Sequence, residues 1–109
     1  MLPQNYDYRP LPIGTTIKKS KIEGLGLYTM MDLQKDQDLG ISHIVNEHFE
    51  NNLIRTPLGG FINHSKNPNT TIIKRGEYYH LLALIDVDKN TELTCDYFQS
   101  DCALQQENG

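Results

Sequence analysis

Gly60-Phe61-Ile62-Asn63-His64-Ser65-Lys66-Asn67-Pro68-Asn69 is the stretch on which the reading of this chain turns. Three short polar side chains follow the apolar pair Phe61-Ile62. A buried Asn both donates and accepts hydrogen bonds, so it suits a zwitterionic ligand such as an amino-acid moiety. The same string also reads as a capped turn, with Asn63 and Ser65 bonding their own backbone. Asn67-Pro68-Asn69 is a turn signal in its own right. Taken by itself the string is mostly a turn, and its weight comes from what flanks it.

On its N-terminal side stands Gly24-Leu25-Gly26, after a segment, Thr15 to Lys19, rich in the β-branched residues that favour strands. No long helix follows the glycines, which excludes a dinucleotide fingerprint, since that needs a helix N-terminus for the pyrophosphate. Glycines around one residue let backbone N–H and C=O groups come close to a ligand. The plain alternative is a tight turn in a sheet. On the C-terminal side, Glu92-Leu93-Thr94-Cys95-Asp96-Tyr97 reads as a strand ending on a tyrosine. A Tyr hydroxyl there can orient an amine or exchange a proton, or it can be a core Tyr with a satisfied hydroxyl.

The rest of the chain supplies short strands and turns. Leu27 to Thr29 and Leu39 to Val45 have strand character, joined by the polar connection Met30 to Asp38. Phe49, Leu53 and Ile54 lie at helical spacing, so one short helix is expected within Glu47 to Arg55, ended by Pro57 and Gly59-Gly60. Thr70 to Lys74 and Tyr78 to Ile85 form a hairpin around Arg75-Gly76-Glu77. Asp86 to Asn90 is a polar turn. Residues 1–14, with Pro3, Pro10 and Pro12, read as an extended arm, and 99–109 as a polar tail. No internal repeat is evident. Many short strands and little helix predict a mainly β domain over residues 15–98.

At 109 residues the chain fits one compact domain. Its net charge is −4, and its only basic cluster is Lys18, Lys19 and Lys21. Direct nucleic-acid binding is therefore not expected, because phosphate contacts dominate such affinity. An acidic domain suits a Lys-rich protein partner better. Cys95 and Cys102 cannot build a structural zinc site alone and suggest no disulfide scaffold. The N-terminus carries no signal-peptide run, and Leu81 to Ile85 is far too short to cross a bilayer. A cytoplasmic or nuclear soluble location, without secretion or membrane contact, is the expectation. His43, His48, His64 and His80 match no metal-binding helix spacing, so no metal is expected.

The three strings in this order resemble the SET-domain lysine methyltransferases. The family pattern runs GxG, then an RFxNHSCxPN-like segment, then ELTxDY. The resemblance covers roughly residues 15–98. It implies a fold of small curved β-sheets with a C-terminal pseudoknot that brings 61–69 beside 92–97. It also implies S-adenosylmethionine as methyl donor and a lysine of a protein substrate, histone being the familiar class, as acceptor. By position, Gly24, Leu25 and Gly26 would hold the methionine part of the cofactor. Asn63 and the His64 backbone would bind its amino and adenine ends. Tyr97 would be the catalytic tyrosine, also touching the cofactor, with Phe98 beside it.

The chain departs from the family at three points. Lys66 stands where larger members have a zinc-binding Cys, so no zinc-bearing lid is expected; Phe98, Leu104 or the second subunit of a homodimer would cover the site instead. Cys95 stands where Phe or Tyr is usual and influences how many methyl groups fit, so room for di- or trimethylation is expected. The segment from Leu39 to Gly60 holds no pocket tyrosine; Tyr78 or Tyr79 could substitute. The competing expectation is a catalytically silent module of the same fold that binds cofactor or peptide.

Overall fold

In the computed structural model, residues 11, 14–49 and 52–98 are described. The arm 1–14, apart from Leu11 and Gly14, and the tail 99–109, with Cys102 and Leu104, lie outside them. Eight strands and one helical turn follow in order. They are β1 (Thr15–Lys19), β2 (Leu25–Thr29), β3 (Asp38–Val45), β4 (Leu53–Arg55), α1 (Pro57–Gly60), β5 (Asn63–His64), β6 (Thr70–Arg75), β7 (Tyr78–Ala83) and β8 (Glu92–Cys95). They make two four-stranded sheets, ordered β1-β2-β8-β5 and β4-β3-β7-β6. The mainly β architecture of small sheets is the one expected. Among the described residues no helix is long and apolar enough to cross a membrane.

The strands form where their residues favour a pleat. β6 carries Thr-Thr-Ile-Ile and alternates buried and less buried positions. It turns into β7 through Gly76 and Glu77, with Gly76 at φ 66°, as a two-residue hairpin requires. Leu27, Leu33, Leu58, Ile72, Leu81 and Leu93 pack in one core between the sheets, each at most 3% exposed. Each such side chain contributes about 1.5–3 kcal/mol by leaving water.

Among the described residues of 47–55 the expected helix is not found. Residues 53–55 are strand β4, paired to β3 through Arg55↔His43, Ile44↔Ile54 and Val45↔Leu53. The helix comes later, at Pro57–Gly60. Thr56 caps it, its Oγ1 accepting from Gly59 N, and Pro57 occupies the first turn, where its missing N–H costs nothing. Gly59 serves packing rather than termination: a Cβ on it would lie 2.5 Å from Ser42 O. That glycine lets the turn sit directly on β3.

An internal repeat, invisible as such in the sequence, organises the whole. Asp32-Leu33-Gln34-Lys35-Asp36-Gln37-Asp38-Leu39 and Asp86-Val87-Asp88-Lys89-Asn90-Thr91-Glu92-Leu93 adopt the same course and clasp each other. Leu33 N donates to Val87 O at 2.7 Å and Val87 N to Leu33 O at 2.9 Å. Lys35 N donates to Asp86 Oδ1 at 2.8 Å, and Lys89 N to Asp32 Oδ1 at 2.9 Å. Asp36 and Asn90 take matching positive φ values of 69° and 67°. β1-β2-loop-β3 thus mirrors β6-β7-loop-β8. The third strands are exchanged: β3 pairs with β7, and β8 pairs with β2.

Candidate functional site

β8 is the strand on which the site is built. On one side it runs antiparallel to β2, with Leu27↔Leu93 and Tyr28↔Glu92. On the other it runs parallel to β5, with Asn63↔Thr94 and His64↔Cys95. The segment 61–70 locks around it. Ser65 N donates to Cys95 O at 3.0 Å, and Thr70 Oγ1 donates to Thr94 O at 2.6 Å. Asn69 is more than a turn residue: its Nδ2 donates to Glu92 O at 2.8 Å while its Oδ1 accepts from Thr94 N at 2.8 Å. One side-chain amide thereby replaces a strand partner.

This threading gathers the residues expected to act together. Asn63 Nδ2 faces the glycine segment, donating to Leu25 O at 3.2 Å and Glu23 O at 3.1 Å. Tyr97 donates its hydroxyl proton to Ile62 O and its backbone N–H to His64 Nδ1, the latter at 3.1 Å. His64 Nδ1 therefore carries no proton in this arrangement. The His64 ring packs against Tyr97 and Phe98, with centroids 5.2 and 5.3 Å apart. Phe98 is 75% exposed at the rim. Cys95 is fully buried in the core cluster against which Tyr97 packs.

The two glycines have different reasons. Gly24 sits at φ 50° in the β1–β2 turn, where a side chain is disfavoured although nothing crowds it. Gly26 is a buried strand residue, and a Cβ there would lie 2.3 Å from Glu92 Oε2. The carboxylate of Glu92 occupies the place a side chain would take. Ser20 Oγ donates to it, 2.8 and 2.9 Å from its two oxygens, and Asn63 Nδ2 donates to it at 2.9 Å. Ser20 and Glu92 were not singled out from the sequence.

Tyr97 is half-buried, and its environment opposes ionisation. Burial is the largest influence raising its pKa, followed by Cys95, with Glu23 adding to it and the Arg55 guanidinium opposing. Its hydroxyl proton is committed to Ile62 O. Tyr79, one of the two tyrosines considered for the acceptor channel, has its surroundings defined by other side chains. It lies on the other sheet, edge-on to His43 with centroids 6.2 Å apart and with Lys74 above its ring. Tyr78 is exposed on the same strand.

The four histidines are scattered in role. His43 is fully buried, His48 lies in an exposed turn, His64 is in the site and His80 is bonded to Asp38. Among the described residues no group of three His, Cys, Asp or Glu side chains could hold a metal ion.

The comparisons with known proteins agree on the architecture. The family model of the SET domain matches residues 7–98. No curated protein matches the chain. Among solved structures, a Plasmodium falciparum protein described as a candidate histone methyltransferase is similar, with a TM-score of 0.60 at 24% identity. The match covers 82% of this chain and 96% of that one. At this identity it speaks for the fold.

Proposed function

Because the chain belongs to the SET-domain family and so has a methyltransferase-like role, we propose that it transfers the methyl group of S-adenosylmethionine to the side-chain amine of a lysine in a protein substrate. The observation that carries this reading is the junction where Asn63-His64 runs beside Thr94-Cys95, between the Gly24-Leu25-Gly26 backbone and Tyr97.

The residues fit such a cofactor. Asn63 Oδ1 takes no hydrogen bond from any described residue, and it is not among the buried atoms left without a partner. Among the described residues it is thus an uncommitted acceptor, suited to the ammonium of an amino-acid end. The cofactor would supply an electrophilic methyl on a sulfonium, and the protein's task would be to align it with the incoming amine. Tyr97 would act through its hydroxyl oxygen, accepting from the amine or from the polarised methyl by weak C–H···O contact. It is not a base in this scheme, since burial holds its hydroxyl protonated. A desolvated channel would itself lower the lysine pKa and favour the free amine. The net charge of −4 favours a Lys-rich segment as substrate.

A radiolabelled methyl-transfer assay on Lys-rich proteins tests the proposal: label on lysine is expected, lost with Tyr97→Phe. Label absent from every basic substrate, with the cofactor bound, would point to the silent binding module instead. One feature favours that second reading, namely that no tyrosine occurs between residues 39 and 60.

A further inference from the structure

Glu92 has an internal counterpart against which its role can be judged. In the clasped repeats it matches Asp38, and the partner strands match as well: Tyr28↔Glu92 on one side, Asp38↔Leu82 on the other. Gly26 then corresponds to His80, and by the hairpin registers Ser20 to Arg75. Asp38 is neutralised in place, with Arg75 Nη1 at 3.0 Å and His80 Nδ1 at 2.9 Å. Glu92 meets only neutral donors. Its carboxylate takes the Ser20 hydroxyl and the Asn63 amide, and among the described residues no cation is paired with it. Where the other half of the fold places an imidazole, this half places glycine.

The consequence falls on Asn63. Four oxygens surround its Nδ2: Glu92 Oε2 at 2.9 Å, Ser20 Oγ at 3.0 Å, Glu23 O at 3.1 Å and Leu25 O at 3.2 Å. Three of them accept only. Rotating the amide by half a turn would set Oδ1 against a carboxylate and two carbonyls, so one orientation is enforced. Glu92 is the only formal charge in that set, and a charge-assisted bond is the strong one. Ser20 Oγ is already used by Ile22 N at 2.8 Å and Glu23 N at 3.3 Å, which limits what it can do for Asn63 alone.

We propose that Glu92 is a positioning residue that fixes the Asn63 amide with its oxygen turned to the ligand, and so sets recognition of the ligand's amino-acid ammonium. This rests on the methyl-donor reading of the site. Its charge, unspent on any protein cation among the described residues, also favours a cationic group there.

Binding of S-adenosylhomocysteine and of 5′-methylthioadenosine, which lacks the amino-acid part, separates this role from a structural one. Titration calorimetry on wild type and Glu92→Gln is the measurement. S-adenosylhomocysteine is expected to weaken at least about tenfold, the loss of one charge-assisted bond, with 5′-methylthioadenosine unchanged. In an Asn63→Ala background Glu92→Gln is expected to add nothing. If Glu92→Gln does not fold, Ser20→Ala, which removes one neighbour of both groups, is expected to shift the same ratio in the same direction. Equal weakening of both ligands, or of neither, overturns the role of Glu92. Wild-type protein that binds neither ligand overturns the methyl-donor reading and this role with it.

Discussion

Acid should unfold this domain through His43 before its carboxylates are fully protonated. His43 is 0% exposed. Its Nδ1 is 2.9 Å from Ser42 Oγ, and the Ser42 hydroxyl reaches Tyr79 O at 3.2 Å, so the proton sits on Nδ1. That leaves Nε2 as a buried lone pair without a partner among the described residues. Burial first, and then the Arg55 charge, lower its pKa from 6.5 to about 4. The unfolded chain binds a proton near 6.5, so the neutral native form is fully favoured above that pH. Its contribution is lost as pH falls from 6.5 toward 4. The whole shift is worth about 3 kcal/mol, of which about 2 kcal/mol is gone by pH 5. Urea denaturation of wild type and His43→Phe at pH 7.5, 6.5, 5.5 and 5 measures it. The variant loses the Ser42 bond at every pH, about 1 kcal/mol, but has no imidazole to titrate. The stability difference between the two proteins should therefore shift by about 2 kcal/mol between pH 7.5 and 5. Parallel curves would refute the argument.

Other substitutions read the site directly. Tyr97→Phe should abolish methyl transfer while lowering stability by only about 1 kcal/mol, the bond to Ile62 O, as measured by the same denaturation. Wild-type enzyme should place two or three methyl groups on one lysine, and Cys95→Tyr should restrict the product to one; intact peptide mass tells them apart. Gly26→Ala should displace the Glu92 carboxylate and weaken S-adenosylhomocysteine binding more than tenfold, because its Cβ would lie 2.3 Å from Oε2. Gly24→Ala, in open space at φ 50°, should cost about 1 kcal/mol of stability with the ligand affinity kept, seen by calorimetry beside melting.

Most strands were legible because their residues favour them locally. Thr15 to Lys19, Leu39 to Val45 and the hairpin around Gly76 form close to where β-branched runs and turn residues put them. The segment 47–60 misled because Leu53 and Ile54 satisfy a helical spacing and a strand equally. What decided it was tertiary: pairing with β3, and the Thr56-Pro57 start that moves the helix onward. The repeat escaped notice because its halves are short and only Asp32, Lys35 and Leu39 recur unchanged, as Asp86, Lys89 and Leu93; elsewhere Leu stands with Val and Asp with Asn or Glu. Asn63, His64 and Tyr97 were legible from the strings that hold them. Ser20 and Glu92 stand 72 residues apart, and neither carries a local signal of the other. Asn69 was read as a turn because its two bonds to β8 are long-range.

The exchange of β3 and β8 makes this chain, in effect, a dimer of two small units joined by a tether. Neither unit can complete its sheet alone, since each borrows its last strand from the other. The tether is the stretch from Asn46 to Asn69, and it carries Asn63 and His64. Two nearly equivalent faces thus become unequal: the tether lays β4 antiparallel along β3, but β5, with Asn63 and His64, parallel along β8. A symmetric scaffold acquires a single site by the way it is connected.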